Sequence, residues 1–312
     1  MIIVPGFAFI VAVAASIVNI YDGLRSATTT VDAGGSWNFL DARLAGGTRS
    51  FAGPDMAYNT RAASRSVNRT VVPSVMSFSP TADGAGLVDI GGDRYWVETA
   101  GKSYSLTNPD PQTLRFEIQA GDKASYDYAN GAACDRSQID GSAGGHMPVG
   151  TPVNINYQFM LEPNGPNGSF TNTARWFVTG EMQSTAYGAS PPFAIELKGD
   201  HLQVVARYVR PGGNPSNGSS DLKMLTLWTD PNPIQTGQYH NIQIQTNVSN
   251  NSSGYLQVSV NGTRVVSYQG PLGYGAPTYW MYGLYRSPTS ETVAAKFRNM
   301  TLTTGADSSS GK

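Results

Sequence analysis

Of the 312 residues only 14% are charged, and the formal net charge is −1. A near-neutral chain with no Lys/Arg run offers no electrostatic footprint for nucleic acid. Its single cysteine, Cys134, excludes an internal disulfide and leaves no second thiol for a metal site or redox pair, so a small buried residue is its ordinary role.

Residues 1–20, MIIVPGFAFIVAVAASIVNI, are almost wholly apolar. They have the hydrophobic core of a signal peptide, with Ala14, Ala15 and Ser16 near a cleavage point, but lack the usual positive start. As a membrane span the stretch is barely long enough and is interrupted by Pro5 and Gly6. A buried first strand is the third reading. Export is favoured, which makes the protein secreted or periplasmic. Residues 21–35 read as a linker or loosely held strand, and the Gly/Ser-rich tail 305–312 as disordered. No linker or repeat divides what lies between, so one domain is expected over 36–304.

Within it, 35 glycines and 19 prolines punctuate short β-branched and aromatic runs, the pattern of an all-β protein. The clearest strand candidates are 114–119, 153–160, 193–197, 202–208, 241–246 and 293–302. The stretch 241–246 alternates polar and apolar residues, so one face meets a core and the other water. Asn261-Gly262 joins two alternating runs between Tyr255 and Tyr268, as a two-residue type I′ hairpin requires. Asn-x-Ser/Thr triplets, as at Asn68, Asn217 and Asn261, read as turn asparagines; they matter for glycosylation only in a eukaryotic secretory pathway. No long amphipathic helix is evident. The expected fold is a concanavalin-like β-jelly-roll sandwich of two antiparallel sheets.

The segment Tyr279-Trp-Met-Tyr-Gly-Leu-Tyr-Arg286 carries aromatic residues on both faces of one strand. Tyr279, Met281, Gly283 and Tyr285 share one side; Trp280, Tyr282, Leu284 and Arg286 share the other. Sugars stack on such rings, but a sandwich-core strand is equally rich in them.

Further segments complete an order along the chain: Asp135-Arg-Ser-Gln-Ile-Asp140, then Arg175 to Gln183, then Ser190 to Arg207, the Asn-Gly hairpin, and Tyr279 to Arg286. This succession resembles the jelly-roll polysaccharide lyases of the alginate lyase, glucuronan lyase and heparin lyase I type, over roughly residues 110–304. In that family three strands carry Arg-Ser/Thr-Glu-Leu, Gln-x-His and Tyr-Phe-Lys-Ala-Gly-x-Tyr. Tyr279, Gly283 and Tyr285 fall on the third pattern, with Met281 at the lysine. Arg136 and Ser137 fall on the first, with Gln138 at the glutamate. Glu181-Met182-Gln183 stands where Gln-x-His is usual.

The resemblance implies β-elimination on an acidic, uronic-acid-containing polysaccharide by a monomer. Arg136 would hold the uronate carboxylate bidentately, with Gln138 and Gln183 helping to neutralise it. Tyr285 would act as base and acid. A free phenol has a pKa of about 10, so the role demands a nearby guanidinium to stabilise the phenolate. A histidine usually shares this work; His146, in a Gly-rich loop that can fold over the site, is the candidate, ahead of His201 and His240. Glu181, Tyr279, Met281 and Arg175 complete the expected substrate-binding set.

The plain alternatives are that Arg136 pairs with Asp135 or Asp140, that Gln183 faces solvent, and that Tyr285 is a core ring. The departures at Gln183 and Met281 favour a non-catalytic glycan-binding or structural jelly roll. A glycoside hydrolase needs two carboxylates about 5 Å apart if retaining, and no Glu-x-x-x-Glu strand pattern supplies them. No cofactor or metal-ligand cluster stands out, although sandwich lyases often hold a structural calcium.

Overall fold

A computed structural model describes residues 85–90, 93–186 and 188–305. The apolar stretch 1–20, the linker 21–35, residues 36–84 of the expected domain and the tail beyond Gly305 lie outside them.

Fifteen strands follow in chain order: β1 (Ala85–Ile90), β2 (Asp93–Glu98), β3 (Leu106–Asp110), β4 (Thr113–Ile118), β5 (Asp135–Asp140), β6 (Pro152–Leu161), β7 (Phe177–Ser184), β8 (Phe193–Lys198), β9 (His201–Tyr208), β10 (Lys223–Thr229), β11 (His240–Asn247), β12 (Tyr255–Val260), β13 (Thr263–Gln269), β14 (Thr278–Arg286) and β15 (Val293–Thr304). A one-turn helix, α1 (Ser125–Ala129), precedes β5. The strands form an eight-stranded sheet, β1-β2-β5-β14-β7-β8-β9-β10, and a seven-stranded sheet, β13-β12-β11-β6-β15-β4-β3. All pairings between these strands are antiparallel. This is the jelly-roll sandwich the sequence predicts.

Alternation of side chains drives the two sheets together. Trp280, Tyr282 and Leu284 of β14 face Phe116 of β4, Phe159 of β6 and Phe297 of β15 in one apolar layer. Phe297 is its hub, with ring centroids 5.0 Å from Phe159 and 5.5 Å from both Phe116 and Tyr282. Burying one such ring contributes roughly 1.5–3 kcal/mol. Since the even-numbered residues of β14 fill this layer, Tyr279, Met281 and Tyr285 must stand on the outer face of the eight-stranded sheet.

Two backbone positions with positive φ, a turn and a strand glycine, fix the arrangement. Asn261 and Gly262 both have positive φ, 51° and 80°, the pair of values a type I′ hairpin needs. At Gly283 φ is 134°, and a Cβ there would lie 2.6 Å from the Ser137 carbonyl oxygen. Any other residue would push β14 away from β5.

Candidate active site

Register assembles the site. Beside β14, β5 places Arg136 opposite Tyr285, Gln138 opposite Gly283 and Asp140 opposite Met281. On the other flank β7 sets Gln183 opposite Tyr279 and Glu181 opposite Met281. β2 then adds Glu98 opposite Gln138. Arg136, Gln138, Glu181, Gln183, Tyr279, Met281 and Tyr285 therefore share one face, and all are buried.

Arg136 is the hub of this face. Its Nε and Nη2 donate to the two carboxylate oxygens of Asp127 at 2.9 and 3.3 Å. Nη1 donates to Glu98 Oε2 at 2.9 Å and to Gln138 Oε1 at 3.2 Å. The fork expected to grip a substrate carboxylate is thus spent inside the protein, and on neither Asp135 nor Asp140. Asp135 pairs instead with Arg286 at 3.1 Å, both wholly buried. The Arg136 guanidinium also lies over two rings, 3.9 Å from the Tyr285 centroid and 5.1 Å from that of Tyr126. Contact with several carboxylates and phenols outweighs desolvation and raises its pKa well above the ordinary value.

Tyr285 therefore has the neighbouring cation the elimination chemistry asks for, but not the expected acidity. Burial raises its pKa by more than the Arg136 charge lowers it. The guanidinium lies over the ring, and the Trp176 ring packs against it with centroids 4.6 Å apart and planes tilted by 59°. A phenol so desolvated stays protonated at neutral pH, which corrects the expectation of a ready phenolate. Its hydroxyl makes no hydrogen bond with the described residues.

Burial shifts the carboxylates in the same direction. Burial pushes Glu181 up to about 7, against a hydrogen bond from Gln138 Nε2 at 3.0 Å and the Arg136 charge. Burial likewise pushes Glu98 up to about 7, despite Arg136 and a short hydrogen bond from the Tyr126 hydroxyl. Beside them Cys134 is buried and its thiol is pushed up to about 12, so it takes no part as a thiolate.

Gln183 turns its carbonyl oxygen to its own neighbour, accepting from Ser184 N–H at 2.9 Å. Its amide N–H₂ has no partner among the described residues and, like the Tyr285 hydroxyl, is a donor of the face left unclaimed by its neighbours. Met281 fills the space between Asp140 and Glu181 without adding charge. His146 is exposed, on the loop after the turn Gly141–Gly144, with its ring 5.4 Å from that of Tyr279. Arg175 is also exposed, held by its backbone N–H donating to Ser287 Oγ at 2.8 Å. The other histidines lie elsewhere: His201 Nδ1 is 2.7 Å from the Asp230 carbonyl oxygen, and His240 starts β11 of the opposite sheet.

Sequence reasoning missed Glu98, Tyr126, Asp127, Trp176 and Arg207. Arg207 is the second guanidinium near this face, and its fork is loosely held, 3.2 Å from the Pro191 carbonyl and 3.4 Å from Glu196. An alternating reading of His201 to Tyr208 puts it beside Val205 and could have found it. Glu98 and Asp127 had no comparable signal, because only tertiary pairing gives them a role. Among the described residues no group of three or more His, Cys, Asp or Glu side chains is placed to hold a metal ion.

A jelly-roll sandwich that gathers carboxylates, amides, a phenol and a guanidinium on one sheet face is built to handle a polyhydroxylated polymer. Residues 107–300 match the family model described as polysaccharide lyase, so the chain belongs to that family. No curated protein matches the chain. Among solved structures it is similar to an endo-β-1,4-glucuronan lyase from the fungus Trichoderma reesei, with 11% identity, 67% of this chain and 86% of that one covered, and a TM-score of 0.48. The alginate lyase AlyC3 is 10% identical over 75% of this chain and 96% of its own, with a TM-score of 0.47. Alginate lyase A1-II′, of polysaccharide lyase family 7, is 12% identical over 68% and 94%, with a TM-score of 0.46.

Proposed function

We propose that this polysaccharide lyase cleaves a uronic-acid-containing polysaccharide by β-elimination, as a secreted or periplasmic monomer. The reaction class itself supports an acidic substrate. Elimination removes the C5 proton and expels the oxygen on C4, and that proton is acidic enough only when C5 bears a carboxyl group whose charge is neutralised. The observation that carries the reading is the convergence of Arg136, Gln138, Glu181, Gln183 and Tyr285 on one sheet face. The unclaimed amide of Gln183 and the loosely held fork of Arg207 supply donors for the uronate carboxylate. Arg136 acts one step back, stacking under Tyr285 and fixing the ring. Tyr285, protonated and without an internal hydrogen bond, is suited to give its proton to the departing O4. Tyr279 and His146 form a further contact at the far end of β14. Export fits a substrate too large to enter a cell and the apolar first 20 residues.

The test is incubation with glucuronan, alginate and heparin while following the ultraviolet absorbance of the unsaturated uronide. Absorbance with at least one polymer is expected, and Tyr285→Phe should lower its rate by about 10²-fold or more, the usual worth of a proton donor. Polymer binding with no absorbance from the wild type would leave a glycan-binding module in place of a lyase.

A further inference from the structure

Resting on the lyase reading, we propose that Glu181 is the base that removes the C5 proton, while Tyr285 serves as the acid. The structure separates the two roles. Tyr285 packs against Arg136 and Trp176 and keeps its proton, so something else on this face must accept one. Glu98 is already ion-paired, its Oε2 accepting from both Arg136 and Tyr126, which holds it against the guanidinium. His146 lies against Tyr279, six residues from Tyr285, or about 20 Å along a strand at ~3.3 Å per residue. His201 and His240 face other parts of the molecule.

Glu181 combines position with a vacant oxygen and, unlike Glu98, forms no salt bridge with the described residues. Its Oε1 accepts from Gln138, which draws the carboxyl from the Met281 position towards Gly283 and the Tyr285 end. Its Oε2 takes no hydrogen bond from the described residues. Burial keeps the group near 7, where a carboxylate is basic enough to take a proton and still ionised in part at neutral pH. The charged groups acting on it are Arg136 from β5, Glu98 from β2 and Arg207 from β9; β14 contributes the titratable Tyr285 and uncharged Met281, and β8 uncharged Ala194. Glu181 is only 1% exposed, so the assignment requires that a saccharide reach it within this face.

The step balances with no co-reactant. The C5–H bond breaks and its proton goes to Glu181 Oε2. The electron pair forms the C4=C5 double bond, the C4–O4 bond breaks, and O4 takes the Tyr285 proton. The resulting phenolate recovers a proton from neutral Glu181, directly or through water, and both groups return to their starting forms.

The decisive experiment compares the wild type, Glu181→Gln and Glu181→Asp on the polymer that gives the most unsaturated product, with kcat, KM and full pH profiles. In the wild type kcat/KM should rise as pH passes through about 7. Glu181→Gln keeps an acceptor for Gln138 and should keep a folded circular dichroism spectrum, with kcat lower by at least about 100-fold and KM nearly unchanged. Glu181→Asp should retain part of the rate and an ascending limb. A Glu181→Gln variant with wild-type kcat, or with residual activity whose ascending limb has not moved, overturns the assignment and leaves the lyase reading standing. A wild type that yields no unsaturated product from any uronate polymer overturns both.

Discussion

The two sheets present outer faces made by the same alternation but living in opposite environments. On the seven-stranded sheet, β11 turns Ile242 and Ile244 inward and Asn241 and Gln243 out to solvent. Its amides pair loosely with neighbours, as Gln158 Nε2 does with Asn241 Oδ1 at 2.7 Å, and water can satisfy whatever remains. On the eight-stranded sheet the polar residues of β5 and β7, with Glu98 of β2 and Asp127 of α1 against them, are buried, and they include charges. Glu98, Asp127, Arg136 and Glu181 each lie below 5% exposure. Removing ions from water costs several kcal/mol each unless geometry compensates, and apolar residues of equal volume would often be more stable. One face is merely solvated; the other is held at a cost in stability.

The largest effect should come from breaking the buried network. Arg136→Ala leaves Asp127 and Glu98 facing each other without a counter-charge, and should lower stability by roughly 3–5 kcal/mol. Urea unfolding followed by circular dichroism measures it. A loss below about 1 kcal/mol would mean that the buried face is no more dependent on charge pairing than the solvated one.

A smaller effect should appear with pH. Glu98 and Glu181 have native values near 7, above the ordinary carboxylate range. Between that range and 7 the native state holds protons that the unfolded chain has released. Their stabilising contribution is therefore complete at low pH and is lost as pH rises through about 7. Melting temperature should fall from pH 5 to pH 8, and Glu181→Gln should reduce the slope by a few degrees. An unchanged slope in the variant would show that Glu181 is already ionised in the native state.

The smallest effect is expected on the solvated face. Gln243→Ala should change stability by no more than about 0.5 kcal/mol and leave the elimination rate unaltered. A clear loss of rate would move functional weight to the seven-stranded sheet.

What could be read in the sequence follows from what periodicity encodes. The alternation at 241–246 located β11, and Asn261-Gly262 located the turn between β12 and β13. The split of β14 into a core side and an outer side follows from parity alone. β2 and α1 were not visible: β2 sits in a stretch without strong alternation, and a five-residue helix is too short to leave a period. α1 exists because Asp127 accepts from the Ala124 N–H within it and from Arg136 below it. The chemistry of the site was partly legible for the same reason. Residue types at 136, 138, 181, 183 and 285 can be read from a string, but the occupancy of the Arg136 fork by Asp127 and Glu98 depends on pairs nine and 38 positions apart.

The position of β14 in the eight-stranded sheet has a consequence for how the protein comes into being. Its hydrogen-bonding neighbours β5 and β7 belong to much earlier parts of the chain, with Tyr285 beside both Arg136 and Val178. Pairings that span so much sequence must close large loops before they gain anything, which places such folds among the slower ones. During synthesis β5 and β7 emerge without the strand that separates them, and their buried charges have no finished environment. This polar face is thus among the last parts of the molecule to form, and a chain that stops short of β14 lacks Tyr279, Met281 and Tyr285 from it. Activity in a refolding experiment would time the closing of the whole sandwich.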